Sequence, residues 1–309
     1  MEPNMRFGIV ERQSFPQRVL HWTELLDPTN LILSIEQIEK SRQILLTSED
    51  AVRFDLKNER IQEAWKRSLA TVHPDSSRLI PVAFRPAALL PFSMPLLFVS
   101  LVTTKTLKSM LLPQVSFYTY LTAFNMFNGN ATYSRRRTES IMLGAGVIAS
   151  STFFGLVPRL RQVKSALLRR SLPALLVAHI SGVNLVASRS LETIRGIEVM
   201  DKDGNVIGYS RKAGTKAVRE TAASRVLLFG TSAFIPELFS LFIKQYKNLL
   251  PFPWTFWALK MSCTIFVMSL MVPVSFSIYP QIGQIQRGQL EEEIQSATED
   301  TELFYNRGV

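Results

Sequence analysis

The chain of 309 residues has one cysteine, Cys263, and three widely separated histidines, His21, His73 and His179. A single thiol excludes an internal disulfide, a CxxC redox pair and a cysteine-held iron–sulfur cluster. HExxH, CxxCH, GxGxxG, Walker A, GxSxG and complete EF-hand patterns are all missing. No catalytic constellation remains, so the reading is non-enzymatic, with no metal and no cofactor. Charge is also scarce where it matters. The first eighty residues mix Lys, Arg, Asp and Glu densely, whereas several later stretches run for almost twenty residues with at most one charge. The N-terminus (MEPNMRFGIVERQSFPQRV) has no apolar signal core and carries Glu2 and Glu11. Neither a secretory leader nor a typical cleaved transit peptide is expected, and any targeting signal is expected to be internal.

What is present is apolar. Hydrophobic residues make up 47% of the chain, with 20 Phe, and this together with the charge-poor stretches argues for a membrane protein. The net charge of +10 first suggests nucleic acid, but the basic residues lie in short loops between apolar runs. That placement fits topology determinants beside anionic lipid and comes with no nucleic-acid reader motif, so no nucleic acid is expected.

The expected architecture is an all-α integral membrane protein with about five spans, several broken by proline. Residues 1–80 read as a soluble helical region, 81–280 as the multi-pass domain, and 281–309 as a polar, acidic and mobile tail. In the first region Ser14 caps a helix that ends at Asp27-Pro28, Ser34 caps a second, and a third covers about Leu56 to Val72. The apolar runs are Val82–Val102, Ile141–Val157, Leu172–Ala187, Val226–Ile243 and Trp254–Tyr279. Each is judged against the roughly 20 residues that cross a bilayer. The first holds Pro86, Pro91 and Pro95, the fourth is interrupted at Pro236-Glu237, and the fifth holds Lys260 and Pro273. Residues 111–134 carry no charge and are open to three placements: an interfacial helix, a re-entrant segment or part of a sixth crossing. Between runs three and four, Gly196–Ser210 reads as a small β-hairpin about Asp203-Gly204. The loops richer in Lys and Arg, one-two and three-four, put themselves and the C-terminus on the matrix or cytoplasmic side.

Polar groups inside the bilayer are the candidates for function, because burying them is costly unless they pair or line a cavity. They are His179, Ser181 and Asn184 on run three, and Pro236 and Glu237 on run four. Each also has a bland reading: an interhelical hydrogen bond for His179 or Asn184, and a carboxylate near the interface for Glu237. Lys260 is close enough to its helix end to snorkel. Broken spans expose backbone carbonyls to a substrate path, and three of them favour a transporter.

Several segments, in order, resemble the sideroflexin family across nearly the whole chain. His73-Pro74-Asp75 resembles the family's HPDTGE motif, although Asp75 would serve equally as a helix cap. Leu26-Asp27-Pro28, Asn184, the Asp-x-x-Gly-Asn hairpin, Ile235-Pro236, Phe252-Pro253-Trp254 and Tyr279-Pro280-Gln281 carry the rest. The resemblance implies a multi-pass carrier of the mitochondrial inner membrane moving small amino acids. It also implies links to iron, haem and respiratory-chain maintenance. The alternative is a non-transporting accessory protein for respiratory complex I assembly and iron–sulfur or haem homeostasis, partnered by assembly factors. Ser77 and Arg78 replace the motif's Gly and Glu, Ser181 replaces the first Asn of NxxN, and Glu237 replaces the second Pro of IPP. Thr122 and Ala123 fall near an expected Asn-Gln. These losses mark a divergent member and argue against serine itself, since a pocket without amides loses groups that fix a zwitterion. The expected pathway lies between runs one, three, four and five, with His73 and Asp75 at its mouth.

Overall fold

The structure is a computed structural model describing residues 13–47, 59–102, 106–131, 137–160, 166–245 and 253–309. Residues 1–12, the Leu56 start of the third amphipathic helix, residues 132–134 and Phe252 lie outside the described residues.

Three N-terminal helices form where amphipathic spacing and caps predict them: α1 (Phe15–Leu25), α2 (Ile35–Thr47) and α3 (Glu59–Thr71). Gln17 closes a capping box on Ser14, and Pro16 sits in the first turn where its missing N–H costs nothing. α2 and α3 pair through Leu45, Ile61 and Trp65, while α1 packs on the last membrane helix.

The bundle contains α4 (Leu89–Leu101), α5 (Leu107–Phe127), α6 (Arg137–Leu160), α7 (Ala166–Ser188), α9 (Arg211–Gln245) and α10 (Pro253–Ser277), with the short α8 (Ser190–Arg195) after α7. Four of these, α6, α7, α9 and α10, are long and apolar enough to cross a membrane. Only 33% of the most apolar window of α6 is buried, and Ile141, Met142, Phe153 and Phe154 face outward. Such an apolar exterior belongs in lipid.

The first run departs from expectation. It begins with turns of 3-10 helix at Val82–Phe84 and Pro86–Ala88, followed by the 13-residue α4, which contains Pro91 and Pro95 and is too short to span alone. Residues 107–127 instead form one uninterrupted helix, α5, of 21 residues. At 1.5 Å per residue it is about 31 Å long, a full crossing length. It packs on α4, α6 and α7 and buries Gln114, Phe117, Tyr118, Phe124 and Asn125.

The expected breaks in runs four and five do not occur. Pro236 and Pro273 sit inside continuous helices. A proline removes one backbone donor, and in a packed bundle the helix continues around that loss. The main core joins Phe117, Leu121 and Phe124 of α5 to Val177 of α7, Leu228 and Phe229 of α9, and Val272 and Phe276 of α10.

The C-terminal segment, expected to be a mobile tail, is folded. β3 (Ile282–Gln286), α11 (Glu292–Ala297) and β4 (Glu302–Asn306) join the hairpin of β1 (Ile197–Met200) and β2 (Val206–Ser210). The result is one antiparallel sheet in the order β2-β1-β4-β3. The hairpin is therefore half of a larger sheet. Alternating apolar residues explain it: Ile197, Val199, Ile285, Leu303 and Tyr305 bury one face against Ala213 and Ala217 at the start of α9. The Asp201–Asn205 turn closes as predicted, with Asp201 Oδ1 accepting from the amides of Asp203 and Asn205 and Gly204 at φ +82°.

Candidate functional site

A cavity of about 480 Å³ opens where α1, α3, the start of α9 and the C-terminal sheet meet. Its wall includes His73, Pro74, Pro280 and Gln281, four residues named from the sequence, together with Arg18, Lys216, Glu220 and Tyr305. Lys216 and Glu220 are one turn apart on α9 and therefore share a face. Lys216 Nζ donates to Gln284 O at 2.6 Å and lies 5.7 Å from the Tyr305 ring centre. Tyr305 donates its hydroxyl to Glu220 Oε2 at 3.2 Å. Burial first, then the neighbouring Glu220 charge, raises the Tyr305 phenol well above its usual range.

The His73-Pro74-Asp75 segment ties three parts of the chain together. The His73 Nδ1 accepts from the amides of Asp75 at 3.2 Å and Ser76 at 3.3 Å, so its Nε2–H donates to Gly129 O at 2.7 Å. Asp75 starts no helix, contrary to the capping alternative. Its carboxylate accepts from Ala131 N at 3.0 Å and from Asn306 Nδ2 at 2.9 Å, linking the motif to the loop after α5 and to β4. Asn306 Oδ1 in turn accepts from Gln281 Nε2 at 2.8 Å. The turn passes through Ser77 at φ +57°, the position where the motif's glycine would stand. Glycine adopts that left-handed conformation freely and serine does not, which gives a physical reason for the motif's residue.

The intramembrane candidates fall in separate places, and none of them lines the cavity. Asn184 is fully buried. Its oxygen accepts from Asn125 Nδ2 at 3.1 Å, and its amide donates to Thr122 Oγ1 at 2.8 Å and Ser151 Oγ at 3.0 Å. Three helices, α5, α6 and α7, are thereby pinned to α7's single asparagine. Thr122, flagged as a departure, is one of its acceptors. Ser181 is buried too, but its hydroxyl returns to Ala178 O on its own helix. His179 lies on the exposed face of α7 and bonds within that helix, at Leu175 O. Glu237 and Lys260 pair at 2.6 Å between α9 and α10, partly shielded, so the two charges that hydropathy left unexplained answer each other. Pro236 is buried in α9 beside them.

Sequence reasoning missed an arginine cluster. Arg189, Arg225 and Arg307 are among the largest fully buried side chains. Arg189 is paired: it forks onto Glu192 at 2.6 and 2.7 Å and donates to Arg307 O at 2.7 Å. Asn130 adds two more bonds to the same Glu192 carboxylate, from its amide at 3.1 Å and its side chain at 3.0 Å. Arg307 donates once, to Phe276 O at 2.8 Å. Burial pulls its guanidinium down to about 10, where it still holds its proton at neutral pH. Arg225 stacks on Phe276, 4.4 Å from the ring centre, and lies 5.6 Å from that of Phe124. The available signal was an arginine at the very start of run four and another in a segment read as a tail.

A bundle of four helices long and apolar enough to cross a membrane, with an apolar exterior and a Glu237–Lys260 pair between two of them, defines a multi-pass helical membrane protein. The profile of the family described as sideroflexins matches residues 4–309, and the chain belongs to that family. It is 70% identical to Sideroflexin-4 of Bos taurus, across 100% of both chains, and 58% identical to Sideroflexin-4 of Homo sapiens, across 100% of this chain and 93% of the other. Sideroflexin-5 of Homo sapiens is 29% identical across 97% of this chain and 91% of its own. No solved structure matches.

Proposed function

We propose that the chain is a carrier of the mitochondrial inner membrane that moves small amino acids. The observation that carries this reading is the mixed charge of the cavity, where Arg18 and Lys216 stand together with Glu220 in one wall. A zwitterion needs donors for its carboxylate and an acceptor for its ammonium, and this wall supplies both. The lining residues Trp22, Trp65 and Tyr305 add apolar surface for a short side chain. Membership of the sideroflexin family supports the membrane setting. Proteoliposomes holding the purified chain and offered a panel of labelled amino acids test it. Uptake of at least one, reduced by Glu220→Gln, is expected; no uptake of any, with folded protein, refutes it.

A second reading has its own observation. The Asn184 amide is fully used in joining α5, α6 and α7, and Glu237 is used by Lys260, so neither is free for a substrate. That favours a non-transporting accessory protein serving respiratory complex I assembly and iron–sulfur or haem supply. Depletion that lowers complex I, restored fully by a variant that retains the fold but lacks uptake, supports the accessory role over the carrier.

A further inference from the structure

We propose that Arg225 and Arg307 form an internal site for a small carboxylate, reached from the cavity. The proposal deepens the carrier reading and rests on it only for the route. Arg307 stands in the chain between Asn306 and Gly308, both of which line the cavity. Its side chain extends to Phe276 O, and Arg225 stacks on the ring of that same Phe276. The two side chains therefore touch the same residue, Arg307 at its carbonyl and Arg225 at its ring, and neither lines the cavity itself.

Five of their six side-chain nitrogens are buried without a hydrogen-bond partner among the described residues: Nε, Nη1 and Nη2 of Arg225, and Nε and Nη1 of Arg307. An arginine does not escape this by losing its proton, since its ordinary value lies far above neutrality. Of the carboxylates nearby, Glu192 already accepts four bonds, two from Arg189 and two from Asn130. Glu220 lines the cavity, accepts one bond from the Tyr305 hydroxyl, and its charge acts on Arg307. One carboxylate beside two buried cations leaves a net positive charge in the interior, which is unfavourable, so an anion at this point stabilises the fold as well as being held by it.

The chemistry of the anion follows from the surfaces left open. Phe276 and Phe124 stand against Arg225 at distances of cation–π contact, so recognition is left to its N–H edges. Those edges match a planar carboxylate through paired parallel hydrogen bonds. The surroundings are the apolar core of Phe117, Phe124, Leu228 and Phe276, which suits a monoanion on a short organic body more than a hydrated phosphate dianion. Along α9, Ser232 lies two turns beyond Arg225 on the same face, and its buried hydroxyl also lacks a partner among the described residues. It offers a next polar contact toward the bilayer interior.

The test uses the full chain in phosphatidylcholine nanodiscs, followed by thermal unfolding with sodium acetate, sodium chloride, sodium phosphate or methylammonium chloride at matched ionic strength. A saturable rise in midpoint with acetate alone is expected. Arg225→Met is expected to unfold at a higher temperature than the unsubstituted chain without acetate, because an uncompensated charge is gone, and to lose the acetate response. Arg225→Lys, which keeps the charge and loses the fork, weakens apparent acetate affinity about tenfold, the equivalent of one charge-assisted hydrogen bond. The same tenfold loss stands as the test if Arg225→Met does not fold. An acetate response that is absent from the unsubstituted chain, or unchanged in both variants, overturns the site. An equal response to chloride or phosphate overturns the carboxylate assignment. Acetate binding without uptake of any amino acid sinks the carrier reading and leaves the site standing; uptake without acetate binding does the reverse.

Discussion

Glu291 lies outside the helix it caps, and removing it should loosen α9, the longest helix among the described residues. Its Oε1 accepts from the amides of Arg211 at 2.9 Å and Lys212 at 3.0 Å, and its Oε2 accepts from Ser210 Oγ at 2.7 Å. Ser210 Oγ in turn accepts from Ala213 N at 3.0 Å, so the C-terminal segment and the hairpin cap α9 jointly. A side-chain N-cap contributes about 0.5–2 kcal/mol, and a negative charge at a helix N-terminus about 0.3–1 kcal/mol more. Arg211 and Lys212 are exposed, so water replaces part of what is lost. Glu291→Ala should then cost about 1–1.5 kcal/mol, which for a chain of 309 residues corresponds to a fall of roughly 1.5–2.5 °C in midpoint. Glu291→Gln keeps one carbonyl oxygen and should cost about half as much.

The pH dependence has a definite sign. Burial pushes the Glu291 carboxyl up, but the bonds from Ser210, Lys212 and Arg211 outweigh it and hold the group below its ordinary value. A carboxylate lowered on folding contributes stability that is complete above its unfolded value, about 4.3, and is lost as pH falls through the lower folded value. The gap between the unsubstituted chain and Glu291→Gln, followed by tryptophan fluorescence on heating, should be full at pH 7 and shrink below about pH 4. Hydrogen exchange should quicken at the amides of Arg211 and Lys212. A gap that is absent at pH 7, or that is the same at pH 3.5, refutes the trans cap.

Three further outcomes follow from the geometry. Ser77→Gly should raise the midpoint, because relief of a left-handed serine, about 1–2 kcal/mol, exceeds the roughly 0.5–1 kcal/mol of added chain entropy. Ser77→Val should lower it. Asn184→Leu strands Asn125, Thr122 and Ser151 inside the bundle and should cost about 2–4 kcal/mol, read as denaturant resistance in nanodiscs. Glu237→Ala and Lys260→Ala should each destabilise more than the double variant, since each alone leaves an unpaired charge between α9 and α10. A double-mutant cycle should return a coupling of about 1–3 kcal/mol, and purely additive effects would refute the pairing.

Much of the fold was legible because local chemistry decided it. Ser14 and Gln17, the Asp201–Asn205 turn and the apolar runs of α6, α7, α9 and α10 each announce their element within a few residues. The prolines misled. Pro86 opens a turn of 3-10 helix ahead of the 13-residue α4, whereas Pro91 and Pro95 inside α4, like Pro236 and Pro273, are absorbed by continuous helices. Where a proline falls relative to the helix start, not its presence, made the difference. The C-terminal segment misled for another reason. Acidic residues such as Glu291, Glu292, Glu293 and Glu299 dominate its composition, and they mask the alternation of Ile282–Gln286 and Glu302–Asn306 that pairs it with the hairpin.

The sequence by itself determined the membrane class, the N-terminal helices, the hairpin and the motif residues His73, Pro74, Pro280 and Gln281 that line the cavity. Those features arise from periodicity, capping and turn chemistry, which act over a few neighbours. Only the tertiary structure decided which polar groups meet. Asn184 finds Thr122 across 62 positions, Glu237 finds Lys260 across 23, and Arg225 comes to share Phe276 with Arg307. A buried charge acquires its meaning from what stands within a few ångströms, and that is settled by packing between helices rather than by distance along the chain.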